Sequence, residues 1–179
     1  MKKRYKQFQQ HLAHDIEDLD TSWDHIEDSL SHVGYIIMGF NGLEKDLDGM
    51  LCETLSDRTD TIGLIVIQNM QFMAKVNLFI RFCDDLHFTV GSTPMQYKTL
   101  LAKLKAAATY RNTVVHADWE NTDEHGFTYS KIEIANGEMR QEYVELTPSV
   151  LTAMIRGFEE TRNQLDEYWT ERSELLSRS

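Results

Sequence analysis

Residues 23–51 read WDHIEDSLSHVGYIIMGFNGLEKDLDGML, and Trp23, Ile26, Leu30, Val33, Ile37, Phe40, Leu43, Leu47 and Leu51 recur in it every three or four positions. That interval returns side chains to one side of an α-helix, so one long amphipathic helix is expected, with this stripe packed inward. Upstream, Tyr5, Phe8, Leu12, Ile16 and Leu19 keep the same interval and predict an N-terminal helix. Between the two, Asp20-Thr21-Ser22 supplies side chains suited to capping a helix start, with Asp24 three positions after Thr21, so a break is expected there.

Downstream, polar Ser56-Asp57-Arg58-Thr59-Asp60 precedes an apolar run from Thr61 to Leu86 that carries Leu64, Ile67, Met70, Phe72, Val76, Phe79 and Phe82. The β-branched cluster Ile62 to Ile67 could pass for a strand, but helical spacing continues beyond it without a turn signal, which predicts a single, largely buried central helix. After Gly91-Ser92, Thr93-Pro94 places a capping residue before a first-turn proline and opens a third helix, expected to reach Val115 or His116. The pattern then changes period. Thr128 to Ile134 alternates, Asn136-Gly137 is a tight-turn dipeptide and Tyr143 to Leu146 alternates again, so a β-hairpin is expected over about 127–146. Thr147-Pro148 starts a last helix bearing Val150, Leu151, Met154, Ile155, Phe158, Leu165, Tyr168 and Trp169. The expected fold is mainly α, with four to five helices and a small hairpin before the last.

The length of 179 residues and a hydrophobic content of 41% are consistent with one domain having its own core. Cys52 and Cys83 lie far apart inside helical segments and read as packing residues rather than a disulfide or zinc framework. No run approaches the roughly twenty apolar residues of a membrane span, and the first residues resemble no secretory leader, so a cytoplasmic location is expected. The net charge of −11 argues against a broad nucleic-acid face, leaving only a local contact with RNA. Acidic residues gather at Asp15 to Asp28 and at Asp118 to Glu124, where they form either a solvated face or a dock for a basic partner.

The candidate chemistry lies at the end of the third helix, in Tyr110-Arg111-Asn112-Thr113-Val114-Val115-His116-Ala117-Asp118-Trp119. On an ideal helix Asn112 and His116 share a face one turn apart, while Arg111 is roughly 140° and 7.5 Å from His116, within the swing of a long side chain. An imidazole can move a proton near neutral pH, a guanidinium can hold two phosphate oxygens, and an amide can orient either group. RNA carries its own nucleophile in the 2′-hydroxyl, so these groups need neither a metal nor another cofactor to cleave it. One chain offers a single such histidine, however, and acid and base on opposite sides of the phosphorus call for two; a two-fold dimer supplies the second.

A helical chain whose third or fourth helix ends in Arg-Asn-x-x-x-His resembles the HEPN superfamily, whose hallmark is Arg, four to six residues, then His. The resemblance extends architecturally from about Trp23 to Trp169. It implies a metal-independent endoribonuclease of a toxin or antiphage-defence system, acting as a homodimer and leaving 2′,3′-cyclic phosphate ends. Arg111, His116 and Asn112 are then the catalytic residues, and an antitoxin or other regulatory protein is a possible partner. One departure is Asp118, where members silenced by a nucleotidyltransferase antitoxin often carry a modifiable tyrosine.

The alternative reading is a non-catalytic module that binds protein or nucleotide, in which Arg111 pairs with an acidic residue and His116 sits favourably at the helix C-terminus. Metal binding has weaker support: His11 and His14 beside Asp15 and Asp18, or Asp28 with His32, have helical spacing but lack a paired Glu-x-x-His set. There is neither a glycine-rich phosphate loop nor a Gly-x-Ser-x-Gly elbow. Met70 and Met73 read as core filler. Asn41-Gly42-Leu43-Glu44-Lys45-Asp46 adds a polar feature to the long first stripe that a solvated face also explains.

Overall fold

A computed structural model of the chain describes residues 1–8, 19–56, 58–91 and 97–178. Among them are β1 (Lys3–Gln7), α1 (Leu19–Leu55), α2 (Asp60–Ile67), α3 (Phe72–Val90), α4 (Tyr97–His116), β2 (Asp118–Thr122), β3 (Phe127–Ala135), β4 (Glu138–Glu145) and α5 (Pro148–Arg178). The chain is mainly helical and carries one antiparallel sheet in the order β1-β4-β3-β2. Among the described residues no helix is long and apolar enough to cross a membrane.

Two compact units emerge, each drawing on two stretches of chain. The sheet unit comprises Met1–Ile37 and Tyr110–Ile155; the helical unit comprises Met38–Thr109 and Arg156–Ser179. In the sheet unit, the expected hairpin is present, with Asn136 and Gly137 both at positive φ (53° and 78°), the backbone a two-residue hairpin turn requires. It is the centre of a larger sheet than the hairpin alone. The acidic stretch after α4 forms β2 against β3, and the N-terminal residues form β1 against β4, from Lys3 opposite Val144 to Gln7 opposite Arg140.

The expected N-terminal helix is therefore corrected at Tyr5, which lies in β1; Leu12 and Ile16 lie outside the described residues. Charge explains why so polar a segment pairs as a strand. Lys3 bonds Glu142 at 2.9 Å, Arg4 bonds Asp123 at 2.9 Å, and the Arg4 guanidinium lies 3.8 Å from the Phe127 ring centre. The expected break at Asp20-Thr21-Ser22 is also absent, because α1 runs through it from Leu19.

The inward stripe of α1 holds in its second half, where Phe40, Leu43, Leu47 and Leu51 are buried. In the first half the expectation fails: Ser22, Ser29 and Ile36 face inward, while Trp23 and Leu30 are 56% and 62% exposed. Helical spacing alone cannot decide which of two adjacent faces packs. Here small serines let the helix approach the sheet, and the Ser22 hydroxyl donates to the Glu120 carbonyl at 2.8 Å.

In the helical unit, the single central helix expected over Thr61–Leu86 is two helices, separated at Gln68 to Gln71. Thr59 caps α2 by accepting from the Thr61 amide, and Gln71, in an extended conformation, starts α3. Neither glycine nor proline marks the break, so it left no turn signal. Gly91, at φ 71°, ends α3 with its N–H on the His87 carbonyl, as a left-handed terminal glycine does. The core gathers Leu43, Leu47, Leu51, Val76, Leu104 and Leu165, all fully buried, with Phe40 against Phe72 and Phe79 against Tyr168.

Lys75 is a buried cation of this unit, 6% exposed and held at 2.8 Å by both Glu44 and Asp48. Burial opposes its charge, but the hydrogen bonds to Asp48 and Glu44 outweigh that and raise its pKa. Cys52 and Cys83 are free and buried, as expected, and burial pushes the Cys83 thiol up to about 11.

The approach of α2 to α1 is close enough to need a missing side chain. A Cβ on Gly63 would stand 2.5 Å from the Cys52 Cα, a backbone atom that cannot turn aside, whereas one on Gly49 meets nothing within 4 Å. Gly63→Ala is therefore expected to destabilise the protein by about 2–3 kcal/mol in urea titration. Gly49→Ala, in a helix interior with open space around it, should instead stabilise it by about 0.5–1 kcal/mol.

Candidate functional site

The small residues of α4 explain how its polar end is held. Ala107 and Ala108 are buried in the helical unit, and Val114, fully buried in the sheet unit, anchors the last turns. From this anchored segment Arg111 emerges half-buried, and Asn112 and His116 are exposed. Thr93-Pro94, the expected opening of the helix, lies outside the described residues; its C-terminal end falls at His116, within the expected range.

Arg111 Nη1 donates to Asn112 Oδ1 at 3.0 Å, so the structure joins two of the three sequence-chosen residues directly. His116, one turn beyond Asn112, has no hydrogen-bond or ion-pair partner among the described residues and presents its ring to solvent. Among the described residues no hydrogen bond joins Arg111 to His116. The arrangement offers an amide-steered guanidinium and, separately, an unengaged imidazole at the same helix end.

The backbone beyond His116 is firmly placed. The last carbonyls of a helix lack partners within it, and here the Trp119 indole N–H takes the Val114 carbonyl at 3.0 Å while the Ala117 amide takes that of Thr113. The Trp119 carbonyl in turn accepts from the hydroxyls of Thr122 (2.8 Å) and Ser22 (3.3 Å). The reversal from helix to strand is thus fastened on both sides of His116. Asp118 opens β2 opposite Tyr129, where its charge adds to burial in raising the tyrosine's pKa.

His25 completes this corner and was not among the sequence candidates. Its ring stacks on Trp119, with centroids 6.1 Å apart, and lies close to Gly126, where a Cβ would come within 3.2 Å of His25 Cε1. Its Nε2 is buried without a hydrogen-bond partner. Burial lowers its pKa, against the opposing influence of the Leu146 carbonyl, Asp28 and Asp123. Ser22, His25 and Trp119 carried no motif, since Ser22 and His25 act through contacts about a hundred residues away in sequence.

Other expected features resolve locally. Within the helical unit, Glu44 and Asp46 of the polar segment in α1 bind Lys75 and Arg162, the latter at 2.7 Å. That unit also holds an open groove of about 510 Å³ whose walls include Asp46, Glu53, Glu159 and Asp166. His32 Nδ1 lies 3.3 Å from the Asp28 carbonyl oxygen rather than from its carboxylate, and His11, His14, Asp15 and Asp18 lie outside the described residues. Among the described residues no three His, Cys, Asp or Glu side chains group to hold a metal ion.

The depressed pKa of His25 has a definite sign. The unfolded chain binds its proton more readily than the folded one, so stability is lost as pH falls below the ordinary histidine value of about 6.5. Urea midpoints compared between pH 7 and 5 should fall more steeply for the wild type than for His25→Phe, which keeps the stack on Trp119 and cannot titrate. Against known proteins, no family model matches this chain, and neither a curated protein nor a solved structure does so.

Proposed function

We propose that this protein is a metal-independent endoribonuclease that works as a dimer in the cytoplasm, with Arg111, Asn112 and His116 as its catalytic residues. The observation that carries this reading is the 3.0 Å bond from Arg111 to Asn112 at the end of α4, with His116 exposed one turn beyond. The amide presets the direction of a guanidinium that would otherwise have to be ordered when substrate binds. The guanidinium then stabilises the negative charge that builds on the phosphorane-like transition state.

In the reaction, the 2′-hydroxyl oxygen of RNA attacks the adjacent phosphorus as His116 takes its proton, and the bond to the 5′-oxygen breaks. His116 of a second copy returns a proton to that leaving oxygen. The products are a 2′,3′-cyclic phosphate and a 5′-hydroxyl. The net charge of −11 repels RNA at long range, so binding is confined to this helix end. A toxin or defence role fits an enzyme of this kind, and expression of the wild type should then arrest growth where His116→Ala does not.

A second reading, a non-catalytic interaction module, draws support from Trp23 and Leu30, large apolar side chains left exposed on α1. Incubating a mixed tRNA and mRNA pool with purified protein in EDTA separates the two. Wild type should yield cyclic-phosphate ends, His116→Ala should lose about a hundred-fold or more of the rate, and Arg111→Lys should lose at least about ten-fold because it keeps the charge without the fork. Equal rates in wild type and His116→Ala, or no cleavage by concentrated wild type, would overturn the ribonuclease.

A further inference from the structure

The dipeptide Asn-Gly occurs twice in the chain, at Asn41-Gly42 and at Asn136-Gly137, and the fold treats the two in opposite ways. Asparagine before glycine is chemically labile. Its side-chain carbonyl carbon can close a five-membered ring with the next backbone nitrogen, and glycine puts no side chain in the path of closure. The surroundings then decide whether that nitrogen is free to attack and whether the backbone has room to bring it in.

In α1 neither condition holds. The Gly42 amide is part of the helix ladder, where it donates to a carbonyl one turn back. The Arg162 guanidinium, bound to Asp46 at 2.7 Å, lies over Gly42, and a Cβ there would stand 3.2 Å from its Nη1. Asn41 itself is exposed, so exposure alone does not separate the two sites. At the tip of the β3–β4 hairpin both conditions hold. Asn136 and Gly137 are exposed and form the turn between paired Ala135 and Glu138. The Gly137 amide donates to no described group, and a Cβ on Gly137 would meet nothing within 4 Å.

We propose that Asn136 is a site of spontaneous deamidation, from which the helix protects Asn41. The Gly137 amide nitrogen loses its proton to solvent and bonds to the side-chain carbonyl carbon of Asn136. The bond from that carbon to the side-chain nitrogen breaks, and the nitrogen takes up a proton and leaves as ammonia. Water then opens the cyclic imide at either carbonyl, giving aspartate or isoaspartate with one added negative charge. Aspartate keeps the turn, because its side chain tolerates the left-handed region. Isoaspartate routes the main chain through one extra carbon, which lengthens the connection that sets the register of Ala135 against Glu138. Asn112 of the candidate site precedes Thr113 inside α4, so the proposal is independent of the ribonuclease reading.

The folded full-length chain, incubated at pH 8.5 and 37 °C and peptide-mapped by mass spectrometry over days, tests it. Acid should accumulate at Asn136 at least about ten-fold faster than at Asn41, as an exposed turn opens far more often than a helix interior. The rate at Asn136 should also fall as pH is lowered to 6.5, since the attacking nitrogen must lose a proton. In guanidinium chloride, where both dipeptides are unfolded, the two rates should converge to within about three-fold. Equal rates in the folded chain, faster conversion at Asn41, or no conversion at Asn136 while the unfolded chain converts would overturn the proposal. So would a ten-fold difference that persists in guanidinium chloride, because neighbouring sequence and not the fold would then be its cause.

Discussion

The Trp119 indole, donating to the Val114 carbonyl, fixes where the last turn of α4 ends and where β2 begins. Arg111 and Asn112 precede that bond in the chain, and His116 lies within the loop it closes. Without it the last carbonyls of the helix would turn to water and fray, and the direction of His116 would no longer be set by the fold. The same ring is the platform for His25, and its backbone carbonyl receives two hydroxyls, so a single residue joins α4, α1 and the sheet within one unit.

The helical unit is organised by a different device. Lys75 projects its ammonium between two carboxylates one turn apart on α1, beside a core of apolar side chains. Such a bridge resists replacement of any single member, because removing one partner leaves the others charged in a partly dehydrated place. It also constrains alignment, because α3 has to be turned so that the ammonium reaches both carboxylates of α1.

Much of this organisation was legible in the residues. The long first helix, the hairpin turn at Asn136-Gly137, the last helix and the end of α4 at His116 all follow from periodicity and turn chemistry that act over a few positions. The features that escaped depend on contacts distant in sequence. β1 reads as part of a helical stripe until its lysine and arginine find Glu142 and Asp123; β2 reads as an acidic cluster until it meets β3. The break between α2 and α3 has no glycine or proline to announce it, and the inward turn of Ser22 and Ser29 reverses the face that hydrophobicity favours. Within the site, Arg111, Asn112 and His116 stand out by residue chemistry and by the resemblance that their spacing carries, whereas Trp119 and His25 matter through packing that only the assembled sheet unit reveals.

The position of β1 also bears on how the chain acquires its structure as it is synthesised. Among the described strands its sheet neighbour is β4, so once Lys3–Gln7 has left the ribosome it waits for roughly 140 more residues before it has a strand to pair with. At bacterial to eukaryotic elongation rates that is on the order of ten seconds. β3 and β4, joined by a two-residue turn, can zip together as soon as both have emerged, whereas β1 must close a far longer loop at a greater entropic cost. This edge strand therefore cannot pair until β4 has been made, and a nascent chain arrested before Glu138 holds no partner for it among the described strands.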